Sequence, residues 1–475
     1  MERRWQVLVV VSIAVFVASL DLFIVNIAFP DIQADFAGSS VAGLSWVLNA
    51  YAIVYAALLV PAGRLADRYG RRRGFLVGMV VFLIGSALCG IAPSVDTLVA
   101  ARVLQAVGAA ILTPTSLALL LPEFPPAQRA TAIGIWAAVG GVAAAAGPPI
   151  GGLLVEVSWR LVFLVNIPVG LAALFYAVRI LRETKDEGAE RPDLLGAGVL
   201  AVAIGLLSLG LVEAPDWGWG DPRTLGCFAV SAVLLVVFWV RCARHPAPMI
   251  HLGMLRVRSF AMANLTILLF MVAFSAMLLG GVLFMTQVWG DSVLRAGLSL
   301  SPGPLMAATF SALTGRQAAR FGQRNLAAVG CLIFAVGSAW FLTQLTATPD
   351  YAGAMLPALL LTGIGVGFVL PSTSSAAAAS LPPAQFATGS AVLTMFRQIG
   401  SVLGVSILVA ILDAPSATDP TATFDGAWTL MLVASLAAMV SALAIGTVRM
   451  HVPEGEAAAP PAPEAAGAPA PAVTA

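Results

Sequence analysis

Asp21 stands inside an apolar run that extends from Gln6 to Phe29, and of the 24 acids it is the one placed deep within such a run. A carboxylate at that depth in hydrocarbon costs about 2.5–3.5 kcal/mol on insertion scales, so an ionisable group there is a candidate for function. Burial disfavours the charged carboxylate and a nearby cation favours it, so a site that alternates between those surroundings can load and release a proton. Two basic residues, Arg102 and Arg397, fall in comparable apolar runs. At 1.5 Å rise per residue the depths of Asp21 and Arg102 differ by roughly 5 Å. A structural ion pair between them is therefore the plain alternative, and it is compatible with proton coupling. Arg397, beside Gln398, lies about nine residues into its run and is either a pore residue or a cation that snorkels to the interface. Asn26, Tyr51, Gln105 and Trp136 are polar or aromatic groups near mid-run and are pocket candidates with Arg397. Trp46 and Gln287 lie nearer the run ends, where aromatics commonly form interfacial belts.

Other chemistries are poorly supplied. Cys89, Cys227, Cys242 and Cys331 form no CxxC pair and have no neighbouring histidine, so neither a metal site nor a disulfide set is expected. His245, His251 and His451 fall in polar connecting segments. There is no HExxH, no pair of deep carboxylates and no P-loop, which argues against an enzyme and against an ATP-driven pump. No cofactor is expected. A sensor would need a soluble domain, and the tail is too short for one.

The elements that carry these residues must be membrane spans. The chain has 475 residues, 59% hydrophobic and 10% charged, with mean hydropathy +0.94. Soluble domains carry roughly 25% charged residues, so lipid has to be the solvent here. A span takes roughly 20 mainly apolar residues. Windows of that size give 6–28, 44–61, 75–92, 98–121, 131–154, 161–181, 194–212, 225–241, 261–285, 298–314, 326–345, 354–376, 388–412 and 428–448. The first run is too long for a signal peptide and no small-x-small site follows it. The expected class is an all-α polytopic membrane protein with about 14 spans.

Charge placement tests that number. With the N-terminus inside, 20 of the 25 basic residues fall in inner segments, among them Arg3, Arg4, Arg64, Arg68, Arg71, Arg72, Arg73, Arg129 and Arg324. Arg160, Arg223 and Arg295 alone fall outside. A miscounted span would scramble the alternation, so the positive-inside rule favours an even number with both ends cytoplasmic. No basic cluster is free of a membrane flank, so nucleic acid is not an expected partner. Lys185 is the single lysine, a usage that suggests a GC-rich bacterial source and its cytoplasmic membrane. The Pro/Ala-rich tail 449–475 is expected to be disordered.

Two segments recur. Gly63–Arg72 (GRLADRYGRR) is echoed from Gly315, and Pro125–Thr131 (PPAQRAT) from Pro382. The offsets agree closely, and both copies fall in equivalent loops. The expected division is a six-helix bundle over 1–181, a two-helix insertion with its linkers over 182–259, and a second six-helix bundle over 260–448. Repeats of this kind place a substrate cavity at mid-membrane between them.

Several motifs carry a family resemblance. They are GRLADRYGRRR from Gly63, LDLFIVNIAFP from Leu20, and Arg102–Ala110 with Ala106 where a glycine is usual. With them stand GPPIGG from Gly147, its leading glycine replaced by Ala143, then Trp159-Arg160, Phe163 and Asn166-Ile167-Pro168. On these residues the chain resembles the major facilitator superfamily, and within it the fourteen-helix drug/proton antiporter branch, over about residues 1–450. The resemblance implies export of a small amphipathic compound such as an antibiotic against protons, by alternating access, from a monomer. It gives Asp21 and Arg102 the proton coupling. Gly63, Asp67, Arg68, Gly70, Arg71 and Arg72 become a cytoplasmic gate latch, with Glu123 as a partner; the bland alternative is a positive-inside anchor. Gly147, Pro148, Gly151 and Gly152 become an antiporter helix motif that sets export direction, whereas physics alone reads a bend with a close neighbour. One deep acid points to neutral, zwitterionic or singly charged cargo. An importer or symporter of a small metabolite on the same scaffold is the alternative function.

Overall fold

The computed structural model describes residues 2–186, 192–382, 385–413 and 420–446. The tail expected to be disordered lies outside them, as do Pro383 and Ala384 in the second copy of the PPAQ loop. Long helices account for nearly all of the rest. They are α1 Arg3–Asp35, α2 Val41–Tyr69, α3 Arg71–Gly90, α4 Val95–Leu120, α5 Pro126–Val155 and α6 Leu161–Ile180. There follow α7 Leu194–Trp217, α8 Pro222–Arg244, α9 Arg258–Leu283 and α10 Pro302–Phe321. The last four are α11 Gln323–Gln344, α12 Leu356–Ala379, α13 Phe386–Leu412 and α14 Pro420–Leu443. Among the described residues, thirteen helices are long and apolar enough to cross a bilayer. The fourteenth, α10, carries Arg316, Gln317 and Arg320 in its second half.

The helices outrun the apolar windows because they continue past the hydrocarbon into the polar layers. Thus α1 runs from Arg3 to Asp35 rather than over 6–28. The expected span 298–314 is displaced: the chain first forms a short helix, Val293–Leu300, then turns at Ser301 and restarts at Pro302. Proline suits a first helical position because it lacks the N–H that would go unpaired there. The last span starts at Pro420, earlier than its window. Polar caps fix several starts. The Ser40 hydroxyl accepts from Gly43 N at 3.0 Å, and Ser94 with Thr97 forms a capping box before α4.

Neighbour relations recur along the chain. In the first six helices α3 packs on α4, α2 on α4, and α1 on α5 and α6; in the last six α11 packs on α12, α10 on α12, and α9 on α13 and α14. Glycine contacts repeat with this pattern. A Cβ on Gly78 would meet Gly108 O at 3.1 Å, and one on Gly330 would meet Gly365 O at 2.9 Å. Those residues lie 252 and 257 positions apart in sequence, the offsets of the two repeated loops. The turns match as well: Gly70 between α2 and α3 has φ +122°, and Gly322 between α10 and α11 has φ +78°. A side chain is strained at such angles, so glycine is required at both single-residue turns.

Helix α7 sits in the groove between α2 and α13, with α8 outside it. The core is shared unevenly along the membrane normal. At the arginine-poor end one apolar cluster joins Leu44, Val155 and Trp159 to Phe284, Met355 and Trp428. Toward the arginine-rich end the core divides. One cluster, with Val11, Phe75, Phe82 and Leu112, belongs to α1–α6; another, with Phe260, Ile267, Val392 and Phe238, draws on α7–α9 and α11–α14 with the flank of α2. In α5, Ile133, Gly134 and Ile135 are exposed in succession. Three consecutive residues on a helix point in three directions, so this end of α5 faces open space on more than one side. The helices are therefore drawn together at the arginine-poor end and spread at the other.

Candidate functional site

Asp21 and Arg102 meet. Both are fully buried, and Arg102 Nη1 donates to Asp21 Oδ2. The pair belongs to a network drawn from five helices. Gln105 Nε2 donates to Asp21 Oδ1 at 2.8 Å, and Asn166 Nδ2 donates to the same oxygen at 3.1 Å. Ser86 Oγ accepts from both amides, at 3.2 and 3.0 Å, and donates to Phe163 O at 2.7 Å. Arg102 also donates through Nη1 to Gln105 Oε1 at 2.7 Å and through Nε to Val47 O at 3.1 Å. Its guanidinium carbon lies 4.0 Å from the Tyr51 ring centroid, a cation–π distance. A buried charge pair persists where its remaining lone pairs and protons are also satisfied, and both oxygens of Asp21 are.

Small residues make that convergence geometrically possible. A Cβ on Gly85 would lie 2.6 Å from Gln105 N, and one on Gly108 would lie 2.4 Å from Phe82 N. α3 and α4 therefore touch backbone to backbone, which brings Ser86 and Gln105 within reach of one another. Ser86 and Asn166 were not among the residues singled out from sequence. Asn166 lay in a quoted stretch without a role, and a serine in a helix gives no signal of its own.

A second polar contact was also missed. Asn49 of α2 donates through Nδ2 to Ser208 Oγ of α7 at 3.3 Å and to Ser406 Oγ of α13 at 3.1 Å. The two serines are 2.7 Å apart and all three residues are buried. Helix α7 is thus hydrogen-bonded to both of its neighbours at one point.

Between the helix groups lies a cavity of about 70 Å³. That is room for a few waters, against about 300–1,000 Å³ for ordinary ligand sites. Its polar lining is Asn26, Asn49, Arg102, Ser275, Arg397 and Gln398 with Ser401, and its apolar lining includes Phe23, Met271 and Phe274. Asn26 and Arg397 are therefore on the cavity. Tyr51 and Gln105 stand behind it, in the Asp21 network. Trp136 does not line it either, and its Nε1 donates to Ser116 Oγ at 3.1 Å, joining α5 to α4.

The Gly63–Arg73 segment is mostly helix, with Gly70 as the turn. Arg71 Nε donates to Asp67 Oδ1 at 2.7 Å, and Asp67 O accepts from Asp186 N at 2.7 Å. Glu183, after α6, receives Arg72 N at 3.0 Å and Arg73 N at 3.1 Å. It thereby caps the positive end of α3. A Cβ on Gly70 would lie 2.7 Å from that carboxylate, a second reason for glycine there. Glu123, the expected partner, pairs instead with Arg3 at 3.1 Å, because the end of α4 meets the start of α1. Arg68 lies 5.9 Å from the Tyr69 ring centroid, and Gly63 sits within α2 against Pro114. From this segment Arg64 reaches out of the first six helices, to His251 Nε2 at 3.3 Å. In the second copy, the side chains of Arg316, Ala318 and Ala319 lie outside the described residues.

Pro148 and Pro149 do not end α5, which remains one helix from Pro126 to Val155. Its glycines make close approaches on two sides. A Cβ on Gly147 would be 2.9 Å from Phe23 Cβ, and one on Gly151 would be 2.9 Å from Ile24 Cγ1. On the other side, a Cβ on Gly152 would be 3.0 Å from Leu294 Cα, and one on Gly297 would be 2.6 Å from Pro148 O. The stretch therefore sets the position of Phe23 on the cavity wall and forms the closed seam with Val293–Leu300.

At the helix ends, a few charges are tuned by neighbours. Burial would raise the Asp193 carboxyl, but Arg241 and the Gly196 N–H hold it below its ordinary value. Burial, with the charge of Asp216, pushes the Asp413 carboxyl up.

Known proteins are similar to this chain in sequence or in fold. The Major Facilitator Superfamily matches residues 11–248 and 265–474. The chain is 37% identical over 412 residues to the tetracenomycin C resistance and export protein of Streptomyces glaucescens, covering 86% of this chain and 75% of that one. It is 35% identical over 417 residues to multidrug resistance protein Stp of Mycobacterium tuberculosis, covering 87% and 77%. It is 32% identical over 406 residues to the methylenomycin A resistance protein of Streptomyces coelicolor, covering 85% and 84%. The crystal structure of nucleoside transporter NupG superposes with a TM-score of 0.65 at 12% identity, covering 94% of this chain and 99% of that one. The likeness to NupG concerns the fold alone. With its many spans, its central cavity and relatives of this kind over most of its length, the chain belongs to the Major Facilitator Superfamily as a multi-pass membrane transporter of the drug and antibiotic efflux kind, not an enzyme.

Proposed function

We propose that the protein exports small amphipathic organic compounds, of the antibiotic or drug kind, in exchange for protons, by alternating access between α1–α6 and α9–α14. The observation that carries this reading is the double position of Arg102. It is bonded to Asp21 and also lines the central cavity. A proton on Asp21 removes the charge that holds Arg102, so the state of one carboxyl reaches the wall against which cargo sits. The surrounding amides and Ser86 keep the carboxyl oriented in either state.

Arginine placement supports an arrangement with the arginine-rich end in the cytoplasm. In that arrangement the molecule is closed toward the outside and spread toward the inside. The cavity is smaller than a drug, so cargo entry requires further separation of α5 from α10 and of α2 from α13. The Gly70 turn with Glu183, and the Arg64–His251 bond, sit at the mouth that such rocking opens and closes. The motion is divided six helices to two to six, with α7 and α8 as the insertion.

The field across the membrane supplies about 2.3 kcal/mol per charge for each 100 mV, enough for one proton to drive a useful gradient. The test is a susceptibility panel in a pump-deficient host, followed by accumulation of a protecting compound in inverted vesicles with an imposed proton gradient. Uptake that collapses with a protonophore is the expected result. Uptake into right-side-out vesicles only, or uptake indifferent to the protonophore, would overturn the reading.

A further inference from the structure

The central cavity holds two guanidinium groups and no carboxylate. Arg102 is neutralised by Asp21, whose carboxylate lies behind the cavity wall. Arg397 has no such partner. It lies on α13, halfway between its ends, with Gln398 and Ser401 beside it on the lining. Among the described residues no carboxylate lies within ion-pair distance of it, and its titratable neighbour is the phenol of Tyr55. Tyr55 is itself engaged with Thr113 Oγ1 at 3.0 Å. The remaining polar groups on the lining are amides and hydroxyls, which accept or donate without charge. The cavity wall therefore carries one positive charge that the protein does not balance.

A cation at membrane depth normally has a counter-ion or marks a substrate path. Here the chain supplies no counter-ion, and the charge faces the space where cargo sits. An arginine fork matches a carboxylate or sulfonate with two parallel hydrogen bonds, a geometry that a lysine does not reproduce. Around it, Phe23, Phe274, Met271 and Leu278 offer an apolar body surface, with the rings of Phe23 and Phe274 6.4 Å apart across the two helix groups. A neutral cargo would leave Arg397 unpaired, and an organic cation would be repelled by it.

We infer that the cargo site selects amphipathic organic anions: Arg397 binds the acidic group, and Phe23 and Phe274 hold the apolar body. The assignment rests on the exporter reading above and specifies its substrate class.

The test uses the full chain in proteoliposomes and two probes with one ring system and permanent, opposite charges, naphthalene-2-sulfonate and trimethyl(2-naphthyl)ammonium. Permanent charge keeps an imposed pH gradient from altering the probes themselves. The sulfonate is expected to move at least tenfold faster than the ammonium ion. Arg397→Gln should lower sulfonate transport at least tenfold, and Arg397→Lys should restore part of it. Elution volume and melting temperature are compared for each variant, and Arg397→Lys keeps the test decisive if Arg397→Gln does not fold. Transport of the ammonium ion but not the sulfonate would overturn the anion assignment and leave the exporter reading standing, as would sulfonate transport unchanged in Arg397→Gln. Failure of the folded wild-type protein to move either probe, or any compound of the susceptibility panel, would overturn both.

Discussion

The buried pair of Asp21 and Arg102 allows a double-mutant cycle with a large expected coupling. Removing one partner of a buried pair leaves the other uncompensated and costs about 3–5 kcal/mol. Asp21→Asn should fall at the low end, because the side-chain oxygen still accepts from Gln105 and Asn166 and Arg102 keeps Gln105 and Val47 O. Arg102→Met should fall at the high end. It leaves a carboxylate in the core and also frees Val47 O, a lost hydrogen bond of about 1 kcal/mol. The double variant carries no buried charge, and replacing a buried pair by uncharged groups is often close to neutral. The expected coupling is therefore at least about 5 kcal/mol, the double variant being more stable than either single one. The assay is thermal unfolding in detergent at one scan rate, since unfolding of a chain this size is expected to be irreversible. A shift of no more than about 2 °C per kcal/mol applies to a chain larger than 250 residues, so the single variants should melt several degrees below wild type. Losses that simply add in the double variant would refute the claim that the two charges hold one another.

Three further outcomes follow from other parts of the molecule. Gly85→Val should destabilise by about 1–3 kcal/mol, because its Cβ meets backbone of Gln105 that cannot step aside, and it should reduce transport with it; melting temperature and vesicle uptake check this, and a wild-type profile would contradict it. Asp193, held below its ordinary value by Arg241, contributes stability above pH about 3.9 that is lost as the pH falls through its folded value. The melting gap between wild type and Asp193→Asn should therefore be full at pH 7 and narrow as the pH is lowered below 4; a gap independent of pH would exclude this role. If the cargo is a monovalent anion exchanged for one proton, each cycle moves two charges in the same electrical sense, worth about 4.6 kcal/mol per 100 mV. A potassium–valinomycin potential, imposed without a pH gradient, should then drive export, and insensitivity to it would count against that stoichiometry.

The sequence made some of this legible and left the rest to packing. Helical rise alone placed Asp21 and Arg102 at similar depth, and they do pair. Rise does not tell which faces meet, so Ser86 and Asn166, brought in by α3 and α6, stayed invisible. The same limit explains Glu123. Successive inner loops are neighbours in sequence, but helix ends meet according to the bundle, and Glu123 found Arg3 while Glu183 took the cap of α3. Gly70 and Gly322 could be read as turn residues because their two loops repeat. The contacts of Gly78 with Gly108 and of Gly330 with Gly365 could not, since small residues are common in membrane helices. Among the pocket candidates, Asn26 and Arg397 line the cavity, whereas Tyr51 and Gln105 lie on faces of α2 and α4 turned toward the Asp21 network. A hydropathy window averages over all faces and cannot make that distinction.

Proton release on substrate addition, compared between wild type and Asp21→Asn, tests the central claim most directly. The protein is reconstituted in liposomes with a pH-sensitive dye, and a compound it is found to export is added. Wild type is expected to move protons against the compound. Asp21→Asn, at equal amounts of folded protein, is expected to move neither protons nor compound against a gradient while still binding the compound. Proton-coupled export that persists unchanged in Asp21→Asn would contradict the account.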